Sequence, residues 1–179
     1  MPTPGRYTVR APESFPDTAF TASKAGALLA QIDPTIVGGE HDGFQIRFVK
    51  VSAKTWDRTR KVAGVETKET ASQLANYLKA CGRTGAMPTE PQEQANAVEQ
   101  TAGQLYEVET DWKIWDGASQ QEYTLSKNPD VFARGDDGSI LPYMVVRDSD
   151  GQVVFDENGR DKRLRANLTV SRFIAATIN

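Results

Sequence analysis

Between Gln104 and Trp115 the side chains alternate without a break. Tyr106, Val108, Thr110, Trp112 and Ile114 fall on one side, and Glu107, Glu109, Asp111, Lys113 and Trp115 on the other. A period of two puts one set on a core and the other in solvent, so the spacing predicts a half-buried strand. Tyr7, Val9 and Ala11 keep the same phase near the start of the chain and predict a first strand, which Pro12 and Pro16 end. The run from Ala27 to Val37 predicts a second, kinked at Pro34, which has no N–H for a ladder. Phe44 to Val51 predicts a third, with Phe44, Ile46 and Phe48 on one face and Gln45 and Arg47 on the other. The intervening Ile36-Val37-Gly38-Gly39-Glu40-His41-Asp42-Gly43 supplies the backbone freedom of a tight reversal. Its first four residues also match the start of a mature trypsin-like protease. Thr35 stands where such a chain would be cut after a basic residue, however, and no Gly-Asp-Ser-Gly-Gly surrounds a serine. Leu164, Ala166, Leu168 and Val170, alternating with Arg163, Arg165, Asn167, Thr169 and Ser171, predict a closing strand.

The period changes at Thr70. Thr70-Ala71-Ser72-Gln73 has capping-box spacing, and Leu74, Tyr77, Leu78 and Cys81 follow at helical intervals before Gly82, a good stop. A shorter helix is expected from Thr89 to Ala102, with Pro91 in its first turn and Gly103 after it. Residues 116–162 are rich in Asp, Gly and Pro, and Asp137-Gly138, Asp150-Gly151 and Asn158-Gly159 predict turns. They read as a long, hairpin-containing excursion of a single 1–179 domain, with no internal repeat. The expected fold is mostly β with inserted helices. Three strands, a helix and two more strands is the order of a five-stranded OB-fold-like barrel, with its helix between strands three and four.

Composition narrows the function classes. The chain has 179 residues, a net charge of −3 and one cysteine, which leaves no intramolecular disulfide and no multi-cysteine zinc site. The helical spacing of Cys81 makes it a buried apolar thiol rather than a nucleophile. The amino terminus lacks the apolar segment of a signal peptide and no run reaches membrane-spanning length, so a cytoplasmic protein with no membrane partner is expected. Charge is unevenly spread. Arg47, Lys50, Lys54, Arg58, Arg60 and Lys61 face only Asp57 within residues 47–61, whereas residues 84–112 hold six carboxylates and no Lys or Arg. That separation allows a positive groove on an acidic protein.

The chain resembles the phage-encoded single-stranded-DNA-binding proteins of OB type. The resemblance is carried by Gly5-Arg6-Tyr7-Thr8-Val9, by residues 37–43, by Ala71 to Gly82, and by Thr101 to Val108, 32 residues in a pattern that covers about two thirds of the chain. It implies single-stranded DNA as ligand and a place in phage DNA replication or recombination, in the host cytoplasm. Replication or recombination proteins and further copies of the chain are the other implied partners. The ending Ile174-Ala175-Ala176-Thr177-Ile178-Asn179 lacks the acidic tip by which many single-strand binders recruit partners.

A sequence-tolerant binder needs cations along the phosphates and aromatic faces for bases. Trp56 lies among the cations of a stretch read as a basic loop, and Trp115 shares its face with Lys113; Trp112 shares the apolar face and is expected in the core. The expected interface is therefore Arg47, Lys50, Lys54, Trp56, Arg58, Arg60, Lys61, Lys113, Trp115 and Arg165. The protein is expected not to be an enzyme, and no catalytic set, metal or cofactor is assigned. Asp148, Asp150, Gly151 and Glu157 stand at positions three, five, six and twelve of a calcium loop, but position one is Val146, which has no side-chain oxygen, and a hairpin turn fits better. A protein–protein adaptor or structural phage component on the same barrel is the alternative function.

Overall fold

A computed structural model describes residues 1–176; the last three residues of the non-acidic ending, Thr177 to Asn179, lie outside the described residues. The chain is mostly β, with two helices. In order it forms β1 (Arg6–Arg10), β2 (Phe20–Ala22), β3 (Leu28–Gln31), β4 (Thr35–Ile36), β5 (Lys50–Ser52), β6 (Thr55–Val62), β7 (Val65–Ser72), α1 (Gln73–Ala80), α2 (Pro91–Glu99), β8 (Leu105–Asp116), β9 (Gln121–Thr124), β10 (Tyr143–Val145), β11 (Arg163–Arg165) and β12 (Asn167–Ile174). These make four antiparallel groups: β12-β8-β1-β4 with β9 on β8, β2-β3-β5, β6-β7 and β10-β11. Among the described residues no ring of paired strands closes a five-stranded barrel.

Two compact units divide the chain, one of residues 1–5 and 110–169, the other of 6–109 and 170–179. In the larger, β1 pairs with β8 from Arg6↔Glu109 to Arg10↔Leu105, and the core gathers Val9, Ile32, Ile36, Leu78, Val98 and Val108. The helix expected after residue 70 is α1. Ser72, not Thr70, caps it, its Oγ accepting from the Ala75 N–H, and Leu74, Tyr77 and Leu78 are buried. The 36–43 reversal is present: Ile36 N–H donates to Phe44 O and Gly43 N–H to Ile36 O, with Gly38, Gly39 and Gly43 all at positive φ.

The predicted third strand is corrected. Only Lys50–Ser52 is a strand; before it the chain is irregular and Phe48 takes φ +62°, rare for a bulky residue. That local twist breaks the alternation. Phe48 is 72% exposed while Ile46 and Val49 are buried, and Asp33 Oδ1 takes the Val49 N–H that a regular ladder would have used. The predicted second strand is likewise split into β3 and β4 around Pro34.

In the smaller unit, Trp112 is buried, donates its indole N–H to Pro2 O and stacks on Phe132 with ring centroids 6.2 Å apart. Asp111, expected on the exposed face, is buried too. Its carboxylate accepts from the Trp112 N–H and from the Ser126 hydroxyl, so desolvation is offset by hydrogen bonds. Residues 116–162 do contain the expected turns: Asp148 N–H reaches Gln152 O, Asp156 N–H reaches Arg160 O, and each Asp side chain accepts two further backbone N–H groups. These turns also form a short repeat that the sequence reading missed. Val146, Val154 and Lys162, eight residues apart, close a ring of backbone bonds in which Val146 N–H donates to Lys162 O, Val154 to Val146 and Lys162 to Val154.

Candidate nucleic-acid interface

The stretch read as a basic loop around Trp56 is a strand. β6 and β7 pair in unbroken register from Thr55↔Ser72 to Val62↔Val65, joined by Ala63 and Gly64 at φ +52° and +81°. Two consecutive positive φ angles are what a two-residue hairpin of matching twist requires. Every residue of β6 is exposed, and β7 becomes buried only at Ala71 and Ser72, where it enters α1. The result is a two-stranded ribbon anchored at its base.

Residues opposite each other in an antiparallel pair share a face. One face therefore carries Trp56, Arg58, Arg60 and Val62 with Ala71, Glu69, Thr67 and Val65; the other carries Asp57, Thr59 and Lys61 with Thr70, Lys68 and Glu66. Arg58, Arg60 and Glu69 of the first face, with Thr59, line a cleft of about 660 Å³ that also receives Asn76 and Lys79 from α1 and Arg172 to Ala175 from the end of β12 and beyond; Trp56 shares the ribbon face but is not among the lining residues. Four cations, Arg58, Arg60, Lys79 and Arg172, thus share the lining with one carboxylate, Glu69. Glu69 bonds the Arg58 guanidinium, and that bond, with the charges of Arg58, Arg60 and Lys79, holds its carboxyl below the usual carboxylate range. Arg172 pairs with Glu109 at 2.6 Å.

Beneath the cleft the packing is aromatic. Phe173, a lining residue, meets the rings of Tyr77 and Tyr106 at centroid distances of 5.6 and 6.2 Å, and Tyr77 and Tyr106 meet edge-on at 5.4 Å. The Tyr77 hydroxyl is fixed by Thr101 Oγ1 at 2.6 Å. Desolvation raises both phenols well above their ordinary value, so neither is an acid or base near neutrality. Burial likewise pushes the Cys81 thiol up to about 12, against a weaker pull from its contact with Tyr77. Cys81 is half-buried and poorly suited to nucleophilic chemistry.

Of the residues expected at an interface, Trp56, Arg58 and Arg60 come together, with Trp56 43% exposed. Lys61 lies on the opposite ribbon face, across from Glu66. Arg47, Lys50 and Lys54 are exposed in the same unit but do not line the cleft. Lys113, Trp115 and Arg165 belong to the smaller unit. There Trp115 is 54% exposed, Lys113 pairs with Glu122 at 3.1 Å, and Arg165 is an exposed residue of β11, opposite Tyr143. Sequence reasoning missed Lys79, Arg172 and Asn76. Lys79 had a signal, as the exposed position next to a stripe read only for its apolar side.

Among the described residues no three His, Cys, Asp or Glu side chains gather to hold a metal, and no helix is long and apolar enough to cross a membrane. No family model, curated protein or solved structure matches the chain.

Proposed function

We propose that this protein is a non-enzymatic binder of single-stranded DNA, without strong sequence preference, that serves phage replication or recombination. One observation carries the reading: an exposed ribbon puts an indole and two guanidinium groups on one face, and the two guanidinium groups line a cleft rich in cations. Phosphates lie along Arg58, Arg60 and Lys79 while a base stacks on Trp56, an interaction that tolerates any base because every base has a π-face. Glu69 keeps the place of a phosphate in the free protein and yields Arg58 when a strand arrives. The phage setting comes from the resemblance of residues 71–82 and 101–108 to phage single-strand binders. The OB-like barrel belongs to this proposal and not to the observed ladders, and the interface does not depend on its closure.

Intrinsic fluorescence tests the stacking. Oligo-dT should quench it, and Trp56→Ala should remove most of the quenching while costing about 1–3 kcal/mol of affinity. A Trp56→Ala protein that binds as tightly as the parent, with the same quenching, contradicts the reading.

A further inference from the structure

Beyond the cleft, a second hollow of about 320 Å³ opens at the carboxyl-terminal end of α1, and the two share Lys79 and Ala175. Its other walls include Gly82, Arg83, Gly85, Met87 and Ala176. The helix ending builds it: with Gly82 at φ +92°, Gly82 N–H returns to Lys79 O and Arg83 N–H to Leu78 O, which satisfies two terminal carbonyls and turns Arg83 out beyond the last turn. Ala176 N–H also reaches Lys79 O, at 3.3 Å, and fixes the opposite wall. Arg83 and Met87 also line a further hollow of about 400 Å³. The Arg83 Nε is buried and has no hydrogen-bond partner among the described residues, and no carboxylate there pairs with its guanidinium. A buried guanidinium N–H without an acceptor is costly, and a side-chain rotation that turns the Nε/Nη edge into the hollow would let it take a two-oxygen anion.

We propose that Arg83 holds a further phosphate of the bound strand, so that the strand runs from the ribbon face through the cleft, past Lys79, and into the hollow at Arg83. The inference rests on the single-strand reading above. Continuity through Lys79 favours a polyanion over a separate small anion. Gly82, Gly85, Ala175 and Ala176 keep the walls low, which lets a sugar-phosphate chain approach the guanidinium closely.

The test is a length series of labelled oligo-dT, roughly 4 to 16 nucleotides, the range one site of this kind covers. Parent, Arg83→Gln and Arg60→Ala are compared, with Arg83→Lys as a variant that keeps the charge but loses the fork, and thermal melting as the folding control. Arg60→Ala should weaken every length. Arg83→Gln should leave the shortest oligomers unchanged, weaken the longest roughly tenfold and lower their salt slope by about 0.7; Arg83→Lys should fall between. If Arg83→Gln matches the parent at every length while Arg60→Ala does not, Arg83 lies off the path and the inference fails, though the single-strand reading stands. Loss of hexaglutamate binding by Arg83→Gln, with long oligo-dT unaffected, would assign the hollow to a protein ligand and overturn the inference. If the parent binds no oligo-dT at any length, the reading itself has failed.

Discussion

β6 and β8 are both antiparallel strands that set tryptophan among charged residues, yet they are held by different forces. Along β8 every second side chain from Tyr106 to Ile114 is buried, so the strand is fixed by its apolar face. Along β6 none is buried, and only the ladder to β7, the Ala63-Gly64 turn and the buried base at Ala71 and Ser72 hold it. A two-stranded hairpin alone is marginal in water. A ribbon whose indole and guanidinium groups stabilise little of the fold leaves them free to meet a ligand.

The largest expected effect separates the tryptophans. Trp112→Ala removes a buried ring stacked on Phe132 and should cost about 3–5 kcal/mol in denaturant unfolding, whereas Trp56→Ala should change stability by no more than about 0.5 kcal/mol. Equal losses would mean that the ribbon packs as β8 does. The next effect concerns Glu69. Its folded-state pKa is depressed, so the Arg58 pair is intact above the ordinary carboxylate value and is lost as pH falls through the depressed one. Oligo-dT binding should therefore gain on acidification in the parent more than in Glu69→Gln, and Glu69→Gln should bind several-fold tighter at neutral pH. Weaker binding by Glu69→Gln would make Glu69 a supporting residue instead of a competitor. The smallest effect is at the turn. Asn tolerates the positive φ of position 63 better than Ala, so Ala63→Asn should raise hydrogen-exchange protection of β6 amides by a few tenths of a kcal/mol and leave that of β8 unchanged.

This difference in forces also decided what the sequence disclosed. Alternation exposed β1 and β8, and a 3.6-residue stripe exposed α1, because those elements have a buried side to write into the pattern. Thr55 to Val62 carries no such imprint, so a strand with no buried face reads as a charged loop. The charge window misled for a related reason. Residues 47–61 hold six cations against Asp57, but β7 returns Glu66 and Glu69 opposite Lys61 and Arg58, and a count along the chain stops before them. The cleft took Lys79 and Arg172 from elements remote in sequence, which no local pattern joins. At Phe48 the alternation was legible and wrong, since a single left-handed residue moved Val49 into the core in its place.

The ribbon's two faces provide the most direct test of the central claim. Arg58→Ala with Arg60→Ala strips the cleft face of two cations, and Lys61→Ala with Lys68→Ala strips two from the other, so total charge changes equally. Each protein is titrated with labelled oligo-dT and with duplex of the same length at two salt concentrations. The account predicts that the parent prefers oligo-dT, that the cleft-face pair weakens binding and flattens its salt slope by roughly 0.7 per lost contact, and that the opposite-face pair stays close to the parent. Equal losses from the two faces, or no binding of the parent to either nucleic acid, would contradict it, and the second result would favour an adaptor that binds protein.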